Sequence, residues 1–258
     1  MTLSARRAAL PLLAALPLLL LWDASGADLV VTRWVGGHDG FTWRDAWLTR
    51  TLLHDGGRWL AGLALLAVLA GLWRSPAGGP PVADRWRAAA AVIAGLLLVP
   101  LLKQASTTSC PWDLAEFGGR ALYVSHWRFG VVDGGPGHCF PSGHAVSAFA
   151  FLPLHYLWRA HDPRRARAWL LGVLLAGLAF GVAQWLRGAH YPSHSLWSAW
   201  LCWAIAALSA PGAAARAAAD RAGAPRPGPA AAPSDRRAGG RRSAARSVPR
   251  RGSGRHRR

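Results

Sequence analysis

Three short segments of the sequence carry side chains that could bind and transfer a phosphate group. The first contains Lys103, the only lysine in the chain, which offers a compact positive charge to a phosphate oxygen. The second is residues 141–144, Pro-Ser-Gly-His, which are predicted to open a helix whose free N–H groups bind an anion. The third holds His190 and His194, which share one face if the segment is helical.

Each of these segments also has a plainer interpretation. Lys103 could be a lysine whose charged head reaches out from the end of a membrane-spanning helix. The histidines could be structural, or they could form a polar cluster at a helix end. His190 and His194, together with His138 and His144, could instead hold a metal ion. No pattern of carboxylates or cysteines completes such a site, so neither a metal nor another cofactor is predicted.

The elements that would position these segments are six apolar runs. Apolar residues make up 52% of the 258-residue chain and charged residues 16%, whereas charged residues are about 25% of an ordinary soluble domain. With their flanks, the runs reach the roughly 20 residues that a helix needs to cross a bilayer. The runs are residues 8–22, 59–73, 88–102, 145–158, 168–186 and 195–210. We therefore predict an all-α integral membrane protein, built as a six-helix bundle.

Composition divides the chain into three parts. Residues 1–57 are predicted to hold the first transmembrane anchor and an outer interfacial segment, and residues 58–213 a core of five transmembrane helices. Residues 214–258 are rich in Arg, Ala, Pro and Gly, cannot bury a core, and are predicted to be disordered. Two alternatives stay open. The first run also resembles a cleavable signal peptide, and residues 28–57 could guide a lipid in the interface or form an ordered loop over the bundle.

The arginines predict how the bundle is oriented. They cluster before the first run, between the second and third, between the fourth and fifth, and in the tail from Arg216 onward, which alone holds thirteen. In a six-span bundle these segments share one side, which the positive-inside rule makes cytoplasmic. Lys103, residues 141–144 and His190 then all fall at the opposite face, where a bundle would bring them together. We expect a bacterial inner (cytoplasmic) membrane, with both termini cytoplasmic and the active site at the outer, periplasmic face.

In type and order, the three segments resemble the type 2 phosphatidic acid phosphatase superfamily, which also includes the vanadium haloperoxidases. The pattern of that family is Lys, six residues, Arg-Pro; then Pro-Ser-Gly-His; then Ser-Arg, five residues, His, three residues, Asp. Residues 141–144 match the second part completely, while Lys103 and His190 stand at the Lys and His of the other two parts. The resemblance covers roughly residues 55–210.

This resemblance implies a covalent mechanism that needs no metal. His190 would attack phosphorus and carry the phosphoryl group, which splits one difficult step into two. His144 would protonate the departing oxygen. Lys103 and the N–H groups of Ser142 and Gly143 would hold the phosphoryl oxygens and offset the charge of the transition state.

At three positions the chain departs from the family pattern. Cys110 and Gln184 stand where the family has Arg, and His194 stands where it has Asp. Arg187 lies three residues from Gln184, so on a helix it could supply the missing guanidinium. His194 could still hydrogen-bond His190 and orient its ring, but it adds no negative charge. A carboxylate could come instead from Asp113, Glu116 or Asp133.

The two cysteines of the predicted outer loops would lie in an oxidising compartment. We predict that Cys110 and Cys139 form a disulfide, which would tie the loop after Lys103 to residues 141–144. Cys202 falls within the last apolar run and is predicted to contribute only to packing.

The predicted function is hydrolysis of a lipid-linked phosphate monoester or diphosphate at the membrane, through a phosphohistidine intermediate. A lipid phosphotransferase that begins with the same covalent step is the near alternative. A non-catalytic membrane protein that binds through its basic tail is the distant one. The net charge of +18 lies largely in the tail, so we expect it to meet anionic lipid headgroups, and no nucleic acid is expected as a partner.

Overall fold

A computed structural model describes residues 3–74 and 78–210, with side-chain surroundings from residue 10 onward. The chain is mostly helical, and the predicted disordered tail, 214–258, lies outside the described residues. The helices are α1 (Leu3–Ala24), α2 (Ala27–Thr32), α3 (Gly56–Ala70), α4 (Val82–Gln104), α5 (Val146–Phe149), α6 (Pro153–Trp158), α7 (Pro163–Leu186) and α8 (Pro192–Ser209). A π-helix, Leu48–Asp55, leads directly into α3, and two-residue strands β1 (Gly36–Gly37) and β2 (Gly40–Phe41) pair antiparallel.

Three helical stretches are long and apolar enough to cross a membrane, namely Leu48–Ala70, Val82–Gln104 and Pro163–Leu186. Large apolar side chains point away from the protein along them, including Leu63 on α3 and Leu175 on α7. Exposed leucines repeated along whole helices are typical of a lipid-facing surface. These features indicate a membrane protein. Each of the six predicted runs contains helix, but the count of six spans remains a prediction.

The main core lies where α4, α5, α6, α7 and α8 meet. Val92 and Val99 of α4 are fully buried and pack with Cys202 of α8. Gly177 of α7 leaves room for the ring of Phe149, since a Cβ on this glycine would lie 2.3 Å from the ring. This packing fixes the ends of α4, α7 and α8, which carry most of the predicted site.

The run at residues 145–158 is not one continuous helix, as the sequence had suggested. It is divided into α5 and α6 by turns at residues 150–152, and α6 begins at Pro153. Proline lacks an N–H and clashes with the preceding turn, so it starts a helix more easily than it continues one. Residues 141–144 also precede the helix instead of opening it. The Ser142 hydroxyl accepts a hydrogen bond from Ala145 N at 3.4 Å, and α5 begins at Val146.

The loops at one end of the bundle form a packed cap over it. Phe41 of β2 packs against Phe117, with ring centroids 5.0 Å apart, and Tyr191 joins the same apolar cluster. Asp133 orders the long α4–α5 loop by accepting hydrogen bonds from Ser109 N at 2.6 Å and Ser109 Oγ at 2.7 Å. Residues 28–57 are ordered and contribute Phe41 to this cap, and their position in the membrane interface stays a prediction.

Helix α1 packs along α8. Trp200 of α8 donates from its indole nitrogen to Leu12 O at 3.0 Å, and Trp197 donates to Asp23 Oδ2 at 2.8 Å. Because indole donors are costly to bury without a partner, these two bonds fix α1 against the helix that carries His194.

Candidate active site

A cavity of about 490 Å³ lies where the capped end of the bundle meets the ends of α4 and α7. It brings together five of the predicted catalytic and phosphate-binding residues, which are Lys103, Gly143, His144, Arg187 and His190. Gln184, which stands at a family Arg position, also borders it, as do His54 and Arg58 from the start of the second apolar helix. Side chains from sequence positions 54 to 190 therefore converge on a single space.

His190 is held from behind, through its Nδ1 edge. Its Nδ1 lies 3.4 Å from His194 Nδ1, and His194 Nδ1 lies 3.0 Å from the carbonyl oxygen of Cys139. A carbonyl only accepts, so His194 Nδ1 carries the proton of the shorter bond. The same carbonyl also hydrogen-bonds His190. One backbone oxygen thus orients both rings and leaves His190 Nε2 on the cavity side.

Burial lowers the pKa of His190 well below its usual value of 6.5, and the nearby charges of Lys103 and His144 lower it further. The hydrogen bond with Cys139 raises the pKa, but its effect is smaller than that of burial. His190 is only 4% exposed. It is therefore neutral at physiological pH, with a lone pair on Nε2, which is the form that a nucleophilic histidine requires.

Asp28 fixes the start of α8, the helix that carries His194. Its carboxylate accepts hydrogen bonds from Ser193 N at 3.0 Å and Trp22 Nε1 at 2.8 Å, and it also bonds the Ser193 hydroxyl. Pro192 occupies the first turn, where a missing N–H costs nothing. A carboxylate at a helix start satisfies free N–H groups and complements the helix dipole.

Ser142 does not face the cavity, in contrast to the sequence prediction. It is fully buried, and its N–H donates to His194 O at 3.1 Å, so this amide is not free for a phosphoryl oxygen. Its own carbonyl accepts from Ser198 Oγ at 2.8 Å. Ser142 therefore ties residues 141–144 to α8, while its neighbour Gly143 borders the cavity beside the Lys103 side chain.

Cys110 and Cys139 form a disulfide in the structure, the same pair that the sequence suggested. Cys139 Sγ lies 3.5 Å from His190 Nδ1, so the bridge packs directly behind the ring. Among the described residues, one cluster has potential metal ligands in reach of each other, and it consists of Cys110, Cys139 and His190. The bridge uses both sulfurs, which leaves no thiolate for a metal ion.

His144 borders the same cavity as His190. Its Nε2 is 3.0 Å from Leu53 O, the last turn of the π-helix, and its ring stacks on His54 with centroids 4.6 Å apart. Burial lowers the pKa of His144 to about 4, and the electrostatic effect of the adjacent His54 acts in the same direction. At neutral pH the ring is uncharged, and its single proton sits on Nε2 because Leu53 O can only accept.

Two nitrogen donors at the cavity are left without protein partners. Within the described part of the chain, Gln184 Nε2 and Arg187 Nη1 are buried and make no hydrogen bond. Arg187 Nε donates to Arg44 O at 2.8 Å, and its guanidinium lies over the Trp112 ring at 5.9 Å. Burial lowers the pKa of Arg187, but a guanidinium remains charged at neutral pH. Buried donors without partners are what an anion-binding site presents before its ligand arrives.

The carboxylates that the sequence offered as substitutes for the family Asp lie elsewhere. Asp113 accepts from Cys110 N at 3.2 Å, Asp133 orders the loop around Ser109, and Glu116 pairs with Arg33 at the surface. Each carboxylate is thus committed to another contact, and the interpretation that one of them supports His190 is wrong. In this chain a neutral backbone carbonyl takes that position.

His54 and Arg58 are site residues that sequence reasoning missed. They lie four residues apart just before the second apolar run, so they share one face if the segment is helical. That spacing at the outer end of a predicted span was the available signal. It was hidden because the family pattern has no element in this part of the chain.

A family match agrees with this arrangement of side chains. The model of the PAP2 superfamily, the type 2 phosphatidic acid phosphatases, matches residues 85–216, just over half of the chain. The chain therefore belongs to the PAP2 superfamily. A search of curated proteins and a search of solved structures each returned no match. Phosphatase-type chemistry on phosphate esters is the activity that this family suggests.

Proposed function

We propose that this protein is a membrane phosphatase that hydrolyses a lipid-linked phosphate monoester or diphosphate through a phosphohistidine at His190. The observation that carries the proposal is the setting of His190. Its ring is neutral, oriented through Nδ1, and exposed through Nε2 to a cavity that also holds Lys103 and Arg187. A fixed nucleophile beside two cations is the arrangement that phosphoryl transfer requires.

In the proposed first step, His190 Nε2 attacks phosphorus and the bond from phosphorus to the lipid oxygen breaks. Lys103, Arg187 and the Gln184 amide offset the charge on the phosphoryl oxygens. As the N–P bond forms, positive charge develops on the His190 ring, and the Cys139 carbonyl accepts its Nδ1–H. In the second step, water attacks the phosphohistidine and releases inorganic phosphate.

The departing lipid oxygen must take a proton from a group that borders the cavity. The family resemblance places this donor at His144, which lines the cavity and stacks on His54. We propose that the proton comes from this pair. No metal is required, because Lys103 and Arg187 already supply the positive charge that a metal ion would otherwise provide.

An apolar groove supports a lipid as the substrate. It has a volume of about 410 Å³, runs between α3 and α7, and meets the polar cavity at Ser147, which borders both. Its walls include Leu60, Phe151 and Trp169. A phosphate in the cavity would thus have its hydrocarbon chain in a groove with matching chemistry.

The proposed setting is a bacterial inner membrane crossed six times, with the cavity at the periplasmic face and both termini in the cytoplasm. The arginine distribution supports this orientation through the positive-inside rule. The arginine-rich tail would then meet anionic lipid headgroups on the cytoplasmic side. A lipid phosphotransferase remains the second candidate, since a second lipid could enter by the same groove in place of water.

Phosphate release by the purified protein in detergent tests this proposal. A panel of lipid monophosphates and diphosphates would be supplied without added metal. We expect release from at least one of them, its loss in His190→Ala and a strong reduction in His144→Ala. His38→Ala, at an exposed histidine outside the cavity, is the matched control and should behave as wild type. Neither phosphate release nor transfer to a second lipid from any substrate would refute the proposal.

A further inference from the structure

The proposed mechanism leaves one buried carboxylate unused, that of Asp23 near the end of α1. Its side chain is 3% exposed and does not border the cavity. Its Oδ2 accepts hydrogen bonds from the indole nitrogens of Trp127 and Trp197, both at 2.8 Å. Within the described residues, His126 pairs with it, and no lysine or arginine does. Because burying a carboxylate without a cation is costly, stability alone does not explain this one.

His126, in the loop between α4 and α5, contacts both Asp23 and the histidine pair of the site. Its Nε2 lies 3.3 Å from Asp23 Oδ2, and since a carboxylate only accepts, this nitrogen carries a proton. The ring stacks on Phe140 and meets the ring of His194 edge to face, with centroids 5.5 Å apart. A continuous series of contacts therefore leads from Asp23 through His126 and His194 to His190.

Two polar atoms in this series are buried and have no hydrogen-bond partner among the described residues, namely Asp23 Oδ1 and His194 Nε2. His194 donates from Nδ1 to Cys139 O, so Nε2 of the neutral ring is a lone pair, and both unpaired atoms are acceptors. Buried acceptors without donors are costly, but they stabilise a positive charge that develops beside them. The His190 ring gains such a charge when its Nε2 bonds to phosphorus.

The charge of Asp23 also acts on His194. Burial lowers the pKa of His194 well below its usual value of 6.5, and the electrostatic effects of His190 and His126 lower it further. The Cys139 carbonyl and the Asp23 carboxylate act in the opposite direction. The Nδ1 atoms of His194 and His190 lie 3.4 Å apart, so the field of Asp23 reaches a ring in direct contact with the nucleophile.

We infer that Asp23 supplies the negative charge that the family Asp would provide at position 194, and that it acts on His190 through His126 and His194. The inference rests on the proposed function. As the N–P bond forms, the His190 ring becomes a cation, and the Asp23 carboxylate stabilises it across the two intervening rings. Asp23 touches neither the substrate nor the reacting atoms, so it is a positioning residue. It lies outside the family match, residues 85–216.

The first test removes the charge of Asp23 and keeps its shape. Asp23→Asn retains an oxygen that can accept from the indoles. The probes are a phosphatidic acid and farnesyl diphosphate, supplied in detergent. We expect kcat/KM to fall roughly 5- to 30-fold for the probe that is turned over, through kcat, with KM changed by less than about 2-fold. Asp39→Asn, the same change at an exposed carboxylate, should leave both constants as in wild type.

A second variant separates the charge from the hydrogen bonds around it. Trp127→Phe removes one donor to Asp23 and leaves the carboxylate in place. We expect this variant to lose less than about 3-fold in kcat. If Asp23 only held the loop against α1, Trp127→Phe would lower kcat as much as Asp23→Asn does.

The third comparison restores the family residue. His194→Asp places a carboxylate next to His190, so the charge of Asp23 becomes redundant. In this background Asp23→Asn should lower kcat by less than about 2-fold, against roughly 5- to 30-fold with His194 present. A purely structural role of Asp23 would give the same factor in both backgrounds.

Three results would each overturn the inference: wild-type kcat in Asp23→Asn, a loss of equal size in Trp127→Phe, or a loss of equal size in the His194→Asp background. If His194→Asp is inactive, the first two comparisons decide. When wild type turns over a probe and His190→Ala does not, these results concern Asp23 alone. If wild type turns over neither probe, the proposed function fails and the role of Asp23 fails with it.

Discussion

The site is assembled from two regions of the chain. One region is covered by the family match and the other is not, and their functional groups differ in exposure. The family-matched region, residues 85–216, provides Lys103 and both histidines of the family pattern. The preceding region, the described part of the chain before residue 85, provides His54, the Leu53 carbonyl and the Asp28 carboxylate. The matched region thus carries the reacting groups, while the preceding region positions them.

The two regions also differ in how firmly they hold their functional groups. His190 and His194 are at most 4% exposed, and both contact Cys139 of the loop between α4 and α5. His54 is 28% exposed and depends on one carboxylate and one stacked ring. The nucleophile is therefore held more firmly than the ring of His54, which lines the same cavity.

The largest expected effect lies in the matched region, at Arg187. Arg187→Met removes a guanidinium whose Nη1 is buried and unpaired, so an oxygen of the phosphoryl group loses a charged donor. We expect kcat/KM for a lipid phosphate to fall by about 10²- to 10³-fold. Arg50→Met is the matched control, since Arg50 is 57% exposed and pairs with Asp45, and it should retain wild-type activity. An active Arg187→Met would contradict the phosphate-binding role.

The second effect concerns the bridge behind His190. Cys110 and Cys139 are separated by 29 positions, and a closed loop of this length stabilises a fold by about 3–4 kcal/mol. We expect the Cys110→Ser, Cys139→Ser double variant to melt at lower temperature and to lose activity, because the Cys139 carbonyl orients both histidines. Cys202→Ala should keep activity. Full activity in the reduced protein would show that the bridge does not position the nucleophile.

The third effect concerns Asp28, through which the preceding region contacts the matched one. Asp28→Ala leaves the Ser193 N–H, its hydroxyl and the Trp22 indole without their acceptor. We expect a destabilisation of about 2–3 kcal/mol, measured by thermal unfolding in detergent. Glu116→Gln breaks an exposed ion pair with Arg33 and should cost under about 1 kcal/mol. Equal small effects would mean that the contact of the two regions is dispensable.

The smallest effect is a dependence of stability on pH. Burial lowers the pKa of His144 from 6.5 to about 4 in the folded protein, so the unfolded chain binds more protons between these values. The free energy of unfolding should therefore fall as pH drops, by about 2 kcal/mol from this residue between pH 7 and pH 5. His144→Gln should show a shallower decrease in melting temperature on acidification. An unchanged slope would mean that His144 is not buried and neutral as described.

The sequence predicted the helices well, because a long apolar run in a low-charge chain has few other outcomes. It could not predict the break at Pro153, since a proline in a membrane helix can kink it or divide it. Nor could it show the π-helix before Gly56, because this helix type has no periodicity that separates it from an ordinary helix at such short length. The cap around Phe41 depends on contacts between distant loops, which local patterns do not encode.

The same distinction holds for the site. Residues that stand in a local pattern could be predicted, and those whose role depends on long-range contacts could not. Lys103, His144 and His190 could be named because each stands in a short, specific pattern, and Arg187 followed from helical spacing. The replacement for the family Asp could not be found, because the acceptor is the backbone carbonyl of Cys139, which no residue type reveals. His54 was missed because its role depends on which ring it stacks against.

The central claim, a covalent phosphohistidine at His190, is tested most directly by trapping the phosphorylated protein. The purified protein would be mixed with a lipid phosphate labelled in its phosphoryl group, denatured within one turnover and mapped by peptide analysis. The account predicts label on His190, in an N–P bond that is lost in acid and stable in alkali, and its absence in His190→Ala. Label on another residue, or turnover by His190→Ala at the wild-type rate, would contradict it.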